Sequence, residues 1–248
     1  MTLSTDACIA AITEHSAGFA QATRGNLEAR VEHCPEWSVA DLVWHLTEVH
    51  WFWATIVEER APAPVDEARR PARAPADGLV DAFVTGAERL ARVLGEADQS
   101  ASCWTWAAWQ QNVGFVTRHQ VQEVAVHHWD AVHAAGGSLV VEPDVAADSV
   151  DEFLHFSVAS EDDPDDPPTA PLGGTLAFRA TDTGDAWTLT DGVRPGTARV
   201  TAGAQDGAPV LEATASELLL WLYHRVGLDT SPLPDGLLAR FRAITFTD

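Results

Sequence analysis

The chain contains no lysine. All 15 of its cationic residues are arginine, against 37 acidic ones, and the formal net charge over 248 residues is −22. Phosphate binding depends on clustered Lys and Arg, so this balance argues against nucleic acid as a partner. The acidity describes a solvated, self-repelling surface, on which an Arg inside a pocket would stand out as an anion anchor. Cysteine is equally sparse. Cys8, Cys34 and Cys103 are odd in number, widely spaced and without a CxxC pair, which excludes a disulfide framework or a Cys-based zinc site as the expected design. The thiols read as buried or inert, so thiol chemistry would have to be brought by a cofactor. No apolar stretch approaches the ~18 residues of a membrane span, and no basic segment followed by an apolar one opens the chain. The expectation is a cytoplasmic protein with no membrane partner, long enough to bury a core without metal or disulfide staples.

What is present divides into two parts. The first ~140 residues carry helical hydrophobic spacing. A first helix is predicted over 5–23, marked by Leu3, Ile9, Ile12 and Phe19. A second starts at Ser38, with Asp41 completing a capping box and Trp37 placed to staple onto Leu42, and runs to about Glu59. A Pro/Ala/Arg-rich connector fills 61–76. The third helix spans 77–97 on a stripe of Leu79, Phe83, Leu90 and Leu94, and an extended run with three Trp, 102–109, follows it. The fourth helix runs from Val113 to about Ala135, where Gly136 and Gly137 stop it. Four long helices with a crossover-length connector imply an antiparallel bundle, a fold that builds metal sites from inward-facing side chains.

A different character begins after a linker near 138–146. The pattern predicts a helix over 145–158, an acidic Pro-rich loop over 160–169, and strands at 174–181, 186–190, 198–202 and 210–213. Thr214 and Glu217 form a second capping box, opening an apolar helix that extends through Val226 to Gly227, and a last helix covers 237–244. The chain is therefore expected to be α+β, with a helical bundle over 1–140 and a small α+β domain over 141–248.

Glu123 and His127 are four residues apart on the fourth helix, so a carboxylate and an imidazole share one face, one turn apart. A surface ion pair is the alternative explanation of that spacing. Val121, Val124, Ala125, Val126 and Trp129 make almost the whole helix apolar, however, and turn the pair inward, where an unpartnered carboxylate is costly. His45, on the second helix, is the best third ligand, and Asp130 is an acceptor that could orient the His127 ring. Three protein ligands with one open position describe a catalytic rather than a structural site. His119 falls one turn before Glu123 but ~12 Å along the helix from His127, too far to share an ion. His128 lies on the other side of the helix, and His50 lies off the face of His45. His15, His33, His133 and His155 show no converging partner and read as ordinary histidines.

Four stretches carry a more specific resemblance: CPEWSVADLVWHL at 34–46, EVAVHHWDA at 123–131, DTGDAWTL at 182–189 and ASELLLWLYHR at 215–225. Together, in order, they resemble the mycothiol-dependent maleylpyruvate isomerase family. The resemblance implies a DinB-like four-helix bundle holding a divalent zinc ion through His, Glu and His, which fall on His45, Glu123 and His127. It also implies a sterol-carrier-like C-terminal domain whose late helix contributes an active-site Arg, mapping to Arg225. From the residues alone, Arg225 could equally be a cation interacting with a helix C-terminus. The chain departs from the common pattern at His128, where relatives carry Arg, and at Tyr223 and His224, which replace Trp-Gly.

The expected activity is a zinc- and mycothiol-dependent cis–trans isomerisation of a maleylpyruvate-like keto acid. Its partners would be a low-molecular-weight thiol and a small electrophilic substrate, in a monomer or homodimer. The alternatives are a mycothiol S-transferase acting on another electrophile, a metal-dependent hydrolase on the same bundle, and a non-catalytic small-ligand-binding protein.

Overall fold

Ser38 shows how local chemistry sets the frame. Its hydroxyl accepts from the Asp41 backbone N–H at 3.3 Å, while the Asp41 carboxylate accepts from the Ser38 N–H at 2.9 Å and from its hydroxyl at 2.6 Å. These bonds satisfy donors that a helix start leaves without partners. In a computed structural model that describes residues 2–160 and 170–247, the helix they open, α2, spans Val39–Glu59, after α1 at Thr5–Thr23. Then come α3 at Leu79–Glu96 and α4 at Val113–Ala134; the connector before α3 holds one 3-10 turn, Glu67–Arg69.

The Ser38 hydrogen bonds, with help from Arg73, hold the Asp41 carboxyl down at about 2. A carboxyl lowered on folding stabilises above its unfolded value, and that contribution is lost as pH falls through its folded value. Ser38→Ala is expected to destabilise by about 1 kcal/mol near neutrality. Much of its difference from wild type should disappear between the ordinary aspartate value and about 2, as read by urea titrations at several pH values. An undiminished difference in acid would argue against the carboxylate's part in the cap.

The four helices bury their stripes against one another. Ile12 and Phe19 of α1, Leu42, Leu46 and Trp53 of α2, Phe83, Leu90 and Leu94 of α3, and Val116 and Val124 of α4 are fully enclosed. Their neighbours are not simply sequential. Helix α1 packs chiefly on α4 and α3, and α2 on α3 and α4, so α1 and α2 lie on a diagonal. Trp104 and Trp106 of the Trp-rich run pack near Phe52 and Trp53 of α2. This unit comprises Leu3–Trp106 and Gln110–Val141.

Among the described residues, the second unit runs from Glu142 onward and takes in Thr2 and Ala107–Trp109. After α5 (Pro143–Phe156) come four strands: β1 Thr175–Ala180, β2 Ala186–Asp191, β3 Ala198–Ala202 and β4 Val210–Ala213. The sheet order is β3-β2-β1-β4, with β1 antiparallel to β2 and parallel to β4. Helix α6, Ala215–Leu222, follows β4 and packs on β1, β4 and α5; α7 spans Leu237–Ala243. Phe178 of β1, Trp221 of α6 and Phe241 of α7 form the aromatic centre, with Phe178 5.4 Å from Phe241 and Trp221 stacked parallel to Phe241. The chain is thus α+β in two units. Of the acidic loop expected at 160–169, all but Ser160 lies outside the described residues.

Two expected helices are corrected: α5 lies two residues earlier than 145–158, at Pro143–Phe156, and α6 is shorter than expected. Helix α6 ends at Leu222, not near Val226. His224 adopts a left-handed φ of 64°, and the Arg225 N–H turns back to the Leu220 carbonyl at 2.7 Å. Arg242 then donates to the Trp221 and Leu222 carbonyls at 3.0 and 3.2 Å, with its guanidinium 4.0 Å from the centre of the Trp221 ring. Burial among these groups lowers the Arg242 pKa to about 10 without discharging it near neutrality. A cation from α7 therefore adds to the backbone N–H groups of Tyr223, His224 and Arg225 that already cap the last carbonyls of α6.

Candidate metal centre

His45 is brought to α4 by the same apolar stripe that builds the bundle, since Leu42 and Leu46 on either side of it are fully buried. From α4, Glu123 and His127 reach the same point. The Nε2 of His45 lies 3.0 Å from Glu123 Oε1, and the Nε2 of His127 lies 3.7 Å from that same oxygen. The two imidazoles meet edge-on with centroids 5.1 Å apart. One donor atom from each residue falls within 4.8 Å of the others. The Glu123 and His127 side chains are mostly enclosed and that of His45 is the most open, at 29% exposure, so solvent reaches the group from the α2 side.

Each ring is held. His127 Nδ1 pairs with Asp130 Oδ2 at 3.0 Å, and the Asp130 side chain is fully buried. A ring that donates from Nδ1 keeps a lone pair on Nε2, the atom facing Glu123. Trp37, just before the α2 cap, sets its indole 4.8 Å from the His45 ring and 6.4 Å from that of His127. Burial pushes the Glu123 carboxyl up, but the His45 hydrogen bond and the surrounding imidazoles outweigh it and hold the group below the usual carboxylate range. The carboxylate is therefore ionised at neutral pH. Two imidazoles and one carboxylate, converging and partly open, fit a borderline divalent ion such as zinc.

Asp130→Asn tests the support behind His127. The amide cannot take the place of the carboxylate as a charged acceptor, and zinc affinity is expected to fall ~10–100-fold with the helix intact. Competition with a chromogenic chelator would read this, and unchanged affinity would remove Asp130 from the site.

His119, His50 and His128 are accounted for by packing. His119 stacks on Phe115 at 5.3 Å and meets Trp106 edge-on. His50 is completely buried against Phe83, and burial first of all pushes its pKa down to about 4, so it is neutral. His128 points at α1: its Nδ1 is 3.0 Å from that of His15, and a Cβ at Gly18 would come within 2.3 Å of its ring. The position is committed to a close approach of two helices. For His33 and His133 the expectation of no converging partner is wrong: with Glu32 they form a second group of donors within 4.8 Å of one another. Only the adjacent pair Glu32 and His33 was visible in sequence, because His133 arrives from 100 residues away.

Arg225 belongs to the second unit. It is 9% exposed and its Nη1 donates to the Tyr223 carbonyl at 2.7 Å.

A helical bundle that offers two imidazoles and a carboxylate to one point belongs to the class of bundle proteins able to hold a divalent metal between neighbouring helices. The family model of the mycothiol maleylpyruvate isomerase N-terminal domain matches residues 9–132, half of the chain, and the protein belongs to that family. The match covers all four bundle helices but for the ends of α1 and α4, and contains His45, Glu123 and His127. No curated protein and no solved structure matches the chain.

Proposed function

We propose that the protein is a zinc- and mycothiol-dependent enzyme that isomerises a maleylpyruvate-like conjugated keto acid from cis to trans. The observation that carries this reading is the convergence of His45 and His127 Nε2 on Glu123 Oε1 inside the stretch matched by the family model. His45, Glu123 and His127 would hold the metal, which when bound supplies the field that keeps a low-molecular-weight thiol ionised near neutral pH.

The chain's own residues supply the rest. Asp130 keeps the His127 proton on Nδ1, so that Nε2 stays available. Trp37 gives the open side an apolar wall, which disfavours water as a competing nucleophile. The thiolate adds to the electron-poor alkene, and the π electrons move onto the ketone oxygen as an enolate. Rotation about the resulting single bond and return of those electrons expel the thiolate and leave the trans alkene. No net oxidation or reduction occurs. Arg225, the cation assigned by resemblance, would bind a substrate carboxylate or the developing enolate through its guanidinium fork.

The test is direct. Zinc-loaded protein with mycothiol and maleylpyruvate should deplete the cis-dienoate absorbance catalytically, with no turnover when the thiol is omitted. Arg225→Ala should raise KM or lower kcat while leaving zinc content unchanged. Conjugate formation without isomerisation would replace the isomerase by an S-transferase using the same thiolate. Hydrolytic turnover without any thiol would overturn the thiol mechanism altogether.

A further inference from the structure

Outside the site just described, the segment between α1 and α2 folds tightly on itself. Arg30 and Ser38 form a β-bridge, the Val31 N–H donates to the Trp37 carbonyl at 3.1 Å, and the Trp37 N–H donates to the Cys34 carbonyl at 2.8 Å. The Arg30 guanidinium closes the turn on the Pro35 carbonyl. This turn presents Glu32 and His33 side by side toward the last turn of α4, where His133 stands.

There, Glu32 Oε2 lies 2.7 Å from His133 Nε2, and a ring nitrogen of His33 completes a set of three donor atoms, all within 4.8 Å of one another. A surface ion pair accounts for Glu32 and His133 but not for His33. The third donor is placed by Trp129, whose indole stacks on His133 at 4.7 Å with an interplanar angle of 11° and lies 5.6 Å from the His33 ring. One aromatic plate thus orients both imidazoles, limiting the rotamer freedom that an ion would otherwise have to quench. The Glu32 and His133 side chains are 66% and 40% exposed, so an ion can enter from solvent without rearrangement of the bundle.

We propose that Glu32, His33 and His133 form a second, accessory metal site, separate from the His45, Glu123 and His127 group and sharing no residue with it. Two imidazoles and one carboxylate select a borderline transition ion of the Zn2+, Ni2+ or Cu2+ class over Mg2+ or Ca2+, which favour all-oxygen sites. The strongly acidic surface draws cations to it. Its ligands come from two segments, so the bound ion clips the α1–α2 turn to the end of α4. That turn carries Trp37, whose indole stands against His45. The accessory ion therefore holds one wall of the first site in position without touching it.

The experiment uses the full chain and zinc alone, with bound metal measured by elemental analysis after equilibrium dialysis. Wild type is expected to bind two equivalents, His33→Ala/His133→Ala one, and His45→Ala/Glu123→Ala one. Glu32→Gln, which keeps a hydrogen-bonding oxygen toward His133, should also lose the accessory equivalent while melting like wild type. In the His45→Ala/Glu123→Ala background, added Cu2+ should give a spin-resonance signal with splitting from two nitrogens, which His33→Ala/His133→Ala abolishes. If the first site binds no zinc, wild type holds one equivalent and His33→Ala/His133→Ala none, which still supports the accessory site. Undiminished zinc in His33→Ala/His133→Ala, or none in folded His45→Ala/Glu123→Ala, would overturn it.

Discussion

Glu123→Gln is expected to strip the first site of zinc and to abolish thiol-dependent turnover with it. The substitution preserves size and one oxygen but removes the only negative charge in the donor set, leaving two imidazoles facing a neutral amide. The loss of affinity should exceed the ~10–100-fold typical of losing a hydrogen-bonding partner behind a ligand. The fold should survive, since the Glu123 side chain retains 17% exposure and the amide can still accept from His45. Zinc content after dialysis, thermal melting and isomerisation rate together decide the matter. A variant that keeps zinc at the His45/His127 site, read with the Glu32/His33/His133 group disabled, would show that the three side chains are not the ligands.

Phe178→Ala is expected to have the largest effect on stability, about 3–5 kcal/mol against a typical total of about 5–15 kcal/mol. The ring is completely buried, its strand is paired on both sides through Trp187 and Leu211, and Trp221 and Phe241 close over it from two helices. A strand in mid-sheet cannot collapse into the space left by a lost ring. The cost should fall on the second unit. Urea unfolding followed by far-ultraviolet dichroism should show an early transition in the variant, while zinc binding, whose donors all lie in the first unit, keeps its wild-type affinity. Weakened zinc binding in parallel with the early transition would mean that the two units do not unfold separately.

Much of the local structure was legible because its causes are local. The capping boxes at Ser38 and Thr214 are satisfied by residues three positions on, so the starts of α2 and α6 needed no tertiary information. The limits of α1, β3 and β4 followed from spacing and turn residues in the same way. The one-turn separation of Glu123 and His127 is a property of any helix. The apolar residues around them signalled that the pair faces the interior.

Other features depend on residues that only the fold brings together. The end of α6 was misplaced because Gly227 looked like its terminator, whereas the left-handed His224 and the reach of Arg242 from α7 end it four residues earlier. His33 and His133 looked ordinary because their common partner, Glu32, is adjacent to one and 101 positions from the other. The sequence by itself determined where most helices and strands begin, that the chain is α+β, and which carboxylate and imidazole share a helical face. The tertiary structure alone decided that His45 meets them, that His128 is spent on the approach of α1, and that a second donor group exists. Hydrogen bonds within a few residues are written into the chain, while convergence across a bundle is set by which apolar faces pack together.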